Sequence, residues 1–327
     1  MKYHNLMKNV LVTGAAGFVG TCVITELLEE KYNLKRIYAN VHKTPLAIKF
    51  NDSRIIQVNQ KLDEIWNFDF DVDYIFNFAA DGTVNSYSKE ANAKFLSITQ
   101  NAKNFAVKLG AGIFHSSSGG AALGELNKDH RLFDFALARR NSEEILLKAK
   151  NIDNLQVQIG RLYTFIGPTI LNKRHYMVSE FLEKAYSGEK IIVKGNLNSQ
   201  RTFLYESEMA RWIVKLAFES RLDVWNISGY ESVSTMQIAQ YISDRFGVDW
   251  DYTQSEVQVE NYLPQDMTKE RQIGLIQEIS WQQGIELTAR YLEMKKGFSD
   301  YVIRRETTYR ILNIMQGRIC FRNIWCG

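Results

Sequence analysis

Asn9 to Gly20 reads Asn-Val-Leu-Val-Thr-Gly-Ala-Ala-Gly-Phe-Val-Gly, and this stretch decides the fold. Its apolar run is typical of a buried parallel strand. Residues at helical spacing follow the glycines, namely Val19, Cys22, Val23, Leu27 and Leu28. Gly14 permits a sharp turn, Gly17 allows a pyrophosphate to approach the backbone, and Gly20 lets a helix pack on its strand. The stretch therefore predicts a strand, a tight turn and a helix whose N-terminus faces an anion.

The composition is that of an ordinary globular protein. The 327 residues include 45% hydrophobic and 24% charged residues, and the net charge is +3. This length allows one large domain or a large and a small one. No basic stripe is interleaved with aromatic residues, so we expect no nucleic-acid partner. The polar residues 1–8 lack the apolar region of a secretion signal, and no stretch is long enough to span a bilayer. We therefore expect a cytoplasmic protein.

The cysteines and histidines indicate no metal centre. Cys22, Cys320 and Cys326 have no metal-type spacing, and the five histidines form no HExxH or paired ligand motif. We expect reduced thiols and no bound metal.

Apolar runs and amphipathic segments alternate after the first helix. The pattern predicts strands over 34–40, 53–59, 73–78, 112–115 and 155–160, and helices over 92–109 and 135–150. From about residue 170 the order is less regular. Short strands are predicted over 191–193, 201–205 and 224–228, with helices over 207–219 and 281–296. Ser234 and Gln237 form a capping box for a further helix that ends at Gly247.

A series of motifs follows the glycine stretch in a fixed order. They are Asn77-Phe78-Ala79-Ala80, Asn92, Ser116-Ser117-Ser118-Gly119-Gly120, Arg161-Leu162-Tyr163-Thr164-Phe165-Ile166-Gly167-Pro168, Arg201-Thr202-Phe203-Leu204-Tyr205 and Asp266-Met267-Thr268-Lys269. With the GxxGxxG spacing after Val-Thr, this series resembles the extended short-chain dehydrogenase/reductase family, whose members modify nucleotide-linked sugars. The resemblance covers residues 9 to about 296.

The resemblance implies an α/β fold with two parts. The first is a Rossmann-type doubly wound parallel sheet over residues 1–168. The second is a smaller C-terminal α/β substrate-binding lobe over 169–296, interleaved with Rossmann elements. Residues 297–327 lie beyond the match, and we predict a helical tail packed on its own domain.

The resemblance also implies a dinucleotide site. Asn40 stands where NAD-preferring members place an acidic residue for the ribose, and His42 with Lys43 suits a 2′-phosphate. We therefore expect NAD or NADP, with a slight preference for NADP. The residues implied as cofactor-binding are Gly14, Ala16, Gly17, Phe18, Val19, Gly20, Asn40, His42, Ala79, Ala80 and Arg139.

A nucleotide sugar is the implied second ligand. In the family a serine or threonine of the triplet bonds the reacting sugar oxygen, and here that residue is Ser118 or Ser117, depending on how the extra glycine is counted. The planar guanidinium of Arg201 suits a diphosphate, because it can contact two phosphate oxygens at once. Thr164 replaces an asparagine that helps to hold this group. Family dimers form through two long helices, so we expect a homodimer through 92–109 and 135–150.

The catalytic motif of the family is broken in this chain. A tyrosine and a lysine four residues later normally carry the proton relay, and Phe135 and Arg139 stand in their places. No tyrosine occurs between Tyr87 and Tyr163, so no shift of register restores one. Loss of a positioned acid or base costs roughly 10²- to 10⁴-fold in rate. We therefore expect a pocket without a phenol that relays a proton, unless Tyr87, His115 or Asp134 substitutes.

Three functional hypotheses follow. One is an epimerase, dehydratase or ketoreductase of polysaccharide or glycoside biosynthesis with a rearranged proton relay, which the retention of Ser118 and Arg201 favours. Another is a non-catalytic relative that binds dinucleotide, with or without nucleotide sugar, as a sensor or partner subunit. The joint departures at Asn40, Phe135, Arg139 and Thr164 favour it. The third is a decayed glycine loop that binds no nucleotide.

Overall fold

A computed structural model describes residues 9–297, apart from 43, 47–49, 81–86, 124–129, 131, 172–175, 219–223 and 254–258. The predicted helical tail therefore lies outside the described residues except for Gly297, and so do Lys43, Cys320 and Cys326.

The described residues form thirteen strands and eight α-helices. The strands are β1 Asn9–Thr13, β2 Arg36–Val41, β3 Ile55–Asn59, β4 Tyr74–Asn77, β5 Gly112–Ser118, β6 Val157–Leu162, β7 Phe165–Ile166, β8 Ile191–Val193, β9 Gln200–Thr202, β10 Leu204–Tyr205, β11 Val224–Ile227, β12 Ser232–Ser234 and β13 Trp250–Tyr252. The helices are α1 Phe18–Leu27, α2 Lys89–Leu109, α3 Phe133–Ile152, α4 Met177–Tyr186, α5 Glu206–Phe218, α6 Thr235–Phe246, α7 Thr268–Gln272 and α8 Trp281–Gly297.

Seven parallel strands form the large sheet, in the order β3-β2-β1-β4-β5-β6-β11. Val12 of β1 lies opposite Ala39 on one side and Phe76 on the other. Because the strand order runs outward from β1 in both directions, a crevice opens at the carboxyl ends of β1 and β4. This sheet, with helices on both faces, confirms the predicted Rossmann-type α/β class.

Apolar side chains fill both faces of the sheet. Val10 and Val12 of β1 pack with Ile24 of α1 and Ile213 of α5 on one face. Leu11 belongs to the opposite core, which also contains Ile98 of α2 and Leu146 of α3. Burial on both faces explains why β1 is a continuous apolar run rather than an alternating one.

The smaller lobe contains short two-stranded pairings and the helices α4, α6 and α8. Strand β8 pairs with β13, and β9 pairs with β12. Its core includes Phe181, Ile191, Ile242 and Ile285. The chain returns to the large sheet through β11, which pairs with β6. None of the helices in the described part of the chain is long and apolar enough to cross a bilayer.

Two predicted elements differ in the structure. The strand expected over 201–205 is two short strands, β9 and β10, because each pairs with a different partner. The strand expected to end at His115 continues to Ser118, because Ser116, Ser117 and Ser118 pair with 160–162 of β6. The capping box is confirmed: Ser234 Oγ accepts from the Gln237 amide at 3.2 Å, and Gln237 Oε1 accepts from the Ser234 amide at 2.9 Å.

A buried carboxyl at the start of α5 fixes the turn after β7. Glu206 accepts hydrogen bonds from the Thr169 amide at 2.9 Å and the Thr169 hydroxyl at 3.0 Å. Burial raises the pKa of Glu206 to about 7, against the opposing effect of these two bonds. The folded protein therefore holds a proton that the unfolded chain releases near pH 4.5.

This proton makes stability depend on pH. Between the unfolded and folded pKa values the folded state binds more protons, so stability falls as pH rises. We expect a loss of about 2 kcal/mol between about pH 5.5 and 7 that is absent in Glu206→Gln. Urea unfolding across this range measures it, with the exposed Glu144→Gln as the matched control. A Glu206→Gln protein with the parental pH slope would contradict the assignment.

Candidate functional site

The turn after β1 brings the strand, α1 and β4 into close contact. Gly14 has φ 63°, and a Cβ there would lie 2.8 Å from the Phe78 carbonyl carbon. A Cβ at Gly20 would lie 2.3 Å from the Gly14 carbonyl oxygen. No side chain caps the N-terminus of α1 at Gly17, and its first turn holds no acidic residue. The helix start therefore suits an anion.

A buried polar chain fixes the crevice beside this turn. Thr13 Oγ1 donates to Asn77 Oδ1 at 2.7 Å and accepts from the amides of Phe78 and Ala79 at 3.2 and 3.3 Å. Asn77 Nδ2 lies 3.0 Å from His115 Nδ1. These bonds hold the chain at Ala79 and the exposed Ala80 against the end of β1.

His115 serves this polar chain and lies away from solvent. Its Nε2 lies 3.2 Å from the Ser142 hydroxyl, and the residue is 0% exposed. Burial lowers the pKa of His115 to about 3, and the charge of Arg139 lowers it further. The imidazole is therefore neutral at physiological pH and is inaccessible to a ligand in the crevice.

Two predicted ribose-binding residues lie at the carboxyl end of β2. Asn40 is buried, and its Nδ2 donates to the Gln60 carbonyl at 3.2 Å. His42 is exposed, with Nδ1 3.3 Å from Asn59 Oδ1. Both side chains join β2 to the end of β3, at the same edge of the sheet as the glycine turn.

A cavity of about 700 Å³ adjoins the crevice between the large sheet and the lobe. It brings together side chains from distant parts of the sequence, including Ser118, Phe135, Arg139, Thr164, Arg201 and Tyr262. The predicted catalytic and substrate-binding residues therefore share one cavity, to which Ser117 also contributes. Asp134 is not among the residues that line it.

The two candidate serines make different contacts. Ser117 donates to Glu143 Oε1 at 2.6 Å, and Glu143 is ion-paired with Arg161 at 2.7 Å. Ser118 Oγ instead lies 2.7 Å from the Tyr262 hydroxyl and accepts from the Gly120 amide at 3.1 Å. The Ser117 hydroxyl is thus bonded to a carboxylate inside the fold, whereas the Ser118 hydroxyl lies beside the phenol of Tyr262.

Phe135 and Arg139 stack together at the cavity wall. The Arg139 guanidinium carbon lies 3.5 Å from the centre of the Phe95 ring and 4.6 Å from that of Phe135. Burial lowers the pKa of Arg139 to about 10, so the side chain remains a cation. Its Nη1 is buried and has no hydrogen-bond partner among the described residues. A buried donor of this kind is costly unless a ligand satisfies it.

Arg201 and Thr164 form the lobe side of the cavity. Arg201 Nη1 donates to the carbonyls of Gln200 and Glu260, and its guanidinium lies 5.8 Å from the centre of the Tyr262 ring. Thr164 donates its hydroxyl to the Thr202 carbonyl. Both side chains therefore brace the lobe where it borders the cavity.

We expected no proton-relaying phenol in this pocket, and the structure places the phenol of Tyr262 beside Ser118. Tyr262 lies 144 residues from Ser118 in sequence and meets it directly. No spacing motif surrounds Tyr262, so local pattern could not have found it. Only the pairing of Tyr262 with Arg201 in an isolated bridge brings it to the site.

Tyr87, which the sequence suggested as a substitute proton carrier, also lines this cavity. It is 46% exposed, and its ring centre lies 5.2 Å from that of Phe135.

No group of three or more potential metal-ligating side chains occurs in the described ranges.

The comparisons with known proteins bear on the family of the chain. Residues 10–228 match the model of the NAD dependent epimerase/dehydratase family. The chain belongs to this family. It corresponds to the extended short-chain dehydrogenase/reductase class that the motifs indicated.

Individual relatives are distant. A putative UDP-glucose 4-epimerase of Methanocaldococcus jannaschii is 23% identical over 87% of this chain and 98% of its own length. An Arabidopsis thaliana trifunctional UDP-glucose 4,6-dehydratase/UDP-4-keto-6-deoxy-D-glucose 3,5-epimerase/UDP-4-keto-L-rhamnose-reductase is 21% identical over 87% of this chain, which spans only 47% of that relative. The structure of a dTDP-glucose 4,6-dehydratase from Streptomyces venezuelae, with NAD bound, superposes with a TM-score of 0.75 at 19% identity, covering 89% of this chain and 98% of that one.

Proposed function

We propose that this protein binds NAD or NADP at the turn after β1 and a nucleotide sugar in the adjoining cavity, and that it changes the oxidation state of a sugar carbon. It would act as an epimerase, dehydratase or ketoreductase in polysaccharide or glycoside biosynthesis. The observation that carries the proposal is the cavity that brings Arg139, whose buried Nη1 has no partner among the described residues, together with Ser118 and Arg201.

The residues present fit a dinucleotide. The uncapped start of α1 suits the pyrophosphate. The backbone is packed so closely at Gly14 and Gly20 that neither position could hold a side chain. Arg139 Nη1, which finds no acceptor in the described part of the chain, suits ribose hydroxyls. When bound, the nicotinamide supplies or accepts the hydride. The protein's own groups orient the sugar and move the proton, with Ser118 bonding the reacting oxygen and Arg201 facing the diphosphate.

Two finer expectations belong to this proposal. The lack of a carboxylate at the end of β2, together with exposed His42, supports a slight preference for NADP, although both Asn40 and His42 already bond neighbouring groups. A homodimer through α2 and α3 is also proposed, because these helices pack side by side on one face of the sheet. Light scattering measures whether the homodimer forms, and paired titrations with NADH and NADPH measure the cofactor preference.

The main test combines binding with product analysis. We expect calorimetry to detect NADH or NADPH binding, and mass spectrometry or NMR to detect a converted sugar among UDP, GDP, CDP and dTDP sugars incubated with the oxidised dinucleotide. Binding without any product would overturn the enzymatic proposal. Absence of both would overturn the whole proposal.

The replacement of Tyr and Lys by Phe135 and Arg139 favours a second candidate, a non-catalytic binding protein that acts as a sensor or partner subunit. The double variant Phe135→Tyr with Arg139→Lys separates the two candidates. Turnover that appears only in this variant supports the binding protein, whereas turnover by the parent protein eliminates it.

A further inference from the structure

Tyr262 places a phenol against Ser118, the residue expected to bond the reacting sugar oxygen. The phenol oxygen lies 2.7 Å from Ser118 Oγ, 3.2 Å from the Gly120 amide nitrogen and 3.3 Å from the Leu162 carbonyl oxygen. The Gly120 amide donates to the phenol oxygen, which in turn donates to the Leu162 carbonyl or to Ser118. Ser118 at the end of β5, Gly120 in the turn that follows it and Leu162 at the end of β6 therefore fix the position of this oxygen within the cavity.

Packing also fixes the ring of Tyr262. Its centre lies 5.1 Å from that of Tyr163 and 5.8 Å from the Arg201 guanidinium. Residue 262 forms a backbone bridge with Arg201, and its amide donates to the Gln200 carbonyl at 3.0 Å. The lobe thus holds the phenol rigidly against the Rossmann sheet, as a proton-transfer group requires.

The surroundings of this phenol act on its pKa in both directions. Burial raises the pKa of Tyr262, while the bonds from Ser118 and Gly120 and the charge of Arg139 lower it. The phenol is therefore neutral in the free protein, and the same three groups stabilise the phenolate that forms after it has given up its proton. Phe135, at the family's usual tyrosine position, has no hydroxyl and can neither give up a proton nor accept one.

We propose that Tyr262 is the proton-transfer residue of this site, replacing the tyrosine that Phe135 has displaced. The inference rests on the proposed function. When a sugar ketone is reduced, the Tyr262 O–H bond breaks and the sugar O–H bond forms, as the hydride from the reduced nicotinamide reaches the sugar carbon. In the oxidative direction Tyr262 first gives its proton to solvent. The phenolate then takes the hydroxyl proton as the hydride leaves the same carbon for the oxidised nicotinamide.

The test compares three tyrosine variants of the whole protein with the sugar that the parent converts. We expect Tyr262→Phe to lower kcat by roughly 10²- to 10⁴-fold with dinucleotide affinity changed less than about threefold. Tyr241→Phe removes a phenol of the same lobe whose hydroxyl bonds Glu286, and it is the matched control. Tyr87→Phe tests another phenol that lines the cavity, the one the sequence suggested. A Tyr262→Phe protein that folds and retains more than about a tenth of parental kcat would overturn the proposal, as would a larger loss in Tyr87→Phe.

A second measurement is independent of turnover. Tyrosine labelled at the ring carbon that bears the hydroxyl reports each phenol by NMR, and Tyr262→Phe identifies the resonance. We expect Ser118→Ala and Arg139→Met each to raise the pKa of Tyr262 further, because each removes a group that stabilises the phenolate. An unchanged titration in both variants would overturn the geometry. If the parent converts no sugar, the proposed function itself has failed and the relay fails with it.

Discussion

We expect Gly20→Val to abolish dinucleotide binding and to lower the stability of the fold. A Cβ at this position would lie 2.3 Å from the Gly14 carbonyl oxygen and 2.8 Å from the Ala15 Cα. Both atoms belong to the backbone and cannot rotate away, so α1 would have to move off the end of β1. Overpacking of this kind costs about 1–3 kcal/mol or more. Thermal unfolding followed by circular dichroism measures the stability, and calorimetry with NADH measures the binding.

Two glycine variants separate packing from ligand contact. Gly195→Val is the control, since nothing lies within 4 Å of a Cβ there and both properties should persist. At Gly17 a Cβ would lie 3.1 Å from the Gly14 carbonyl oxygen, a smaller conflict. Gly17→Ala should therefore fold yet bind the dinucleotide weakly, because the added methyl group occupies the approach to the backbone. Parental NADH affinity in Gly20→Val would contradict the proposed role of this turn.

The second large effect is expected for Arg139→Met, which should weaken dinucleotide binding without lowering the stability of the fold. The variant removes a buried cation whose Nη1 has no partner among the described residues, while the methionine keeps the apolar contact with Phe95 and Phe135. The lost cation–π contacts oppose the gain from removing the buried charge. We therefore expect an unchanged or higher Tm together with dinucleotide affinity about 10- to 100-fold weaker, the usual range for a charged hydrogen bond.

Arg36→Met is the matched control for charge. Arg36 is exposed at the amino end of β2, whereas the crevice lies at the carboxyl ends of the strands. This variant removes the same charge from the protein and should leave NADH affinity unchanged. If Arg139→Met lowered the Tm strongly and bound NADH as the parent does, Arg139 would be a packing residue and the central support for the proposed function would be lost.

The sequence could predict the features that depend on interactions between residues close together in the chain. The run from Asn9 to Thr13 had to be a buried strand, because Val10, Leu11 and Val12 are apolar without alternation. Gly14 had to adopt a positive φ, and the Ser234–Gln237 capping box had to open α6. The departures at Phe135 and Arg139 were likewise visible in the sequence, because they lie four residues apart at the start of the helix that follows the serine triplet.

The three-dimensional contacts could not be predicted in the same way. Which of the Ser117 and Ser118 hydroxyls is already engaged inside the fold depends on Glu143 of α3, which accepts a hydrogen bond from Ser117 of β5. Whether Arg139 finds a partner depends on what packs around it. Neither question has an answer at the level of sequence spacing.

The sequence by itself determined the Rossmann-type sheet, the glycine turn and the absence of a tyrosine at the expected place on α3. Only the tertiary structure decided that a phenol nevertheless reaches Ser118, from Tyr262 in the lobe. The physical reason is that periodicity and turn chemistry act over a few residues, whereas a bridge between Arg201 and Tyr262 joins segments that only the folded lobe brings together.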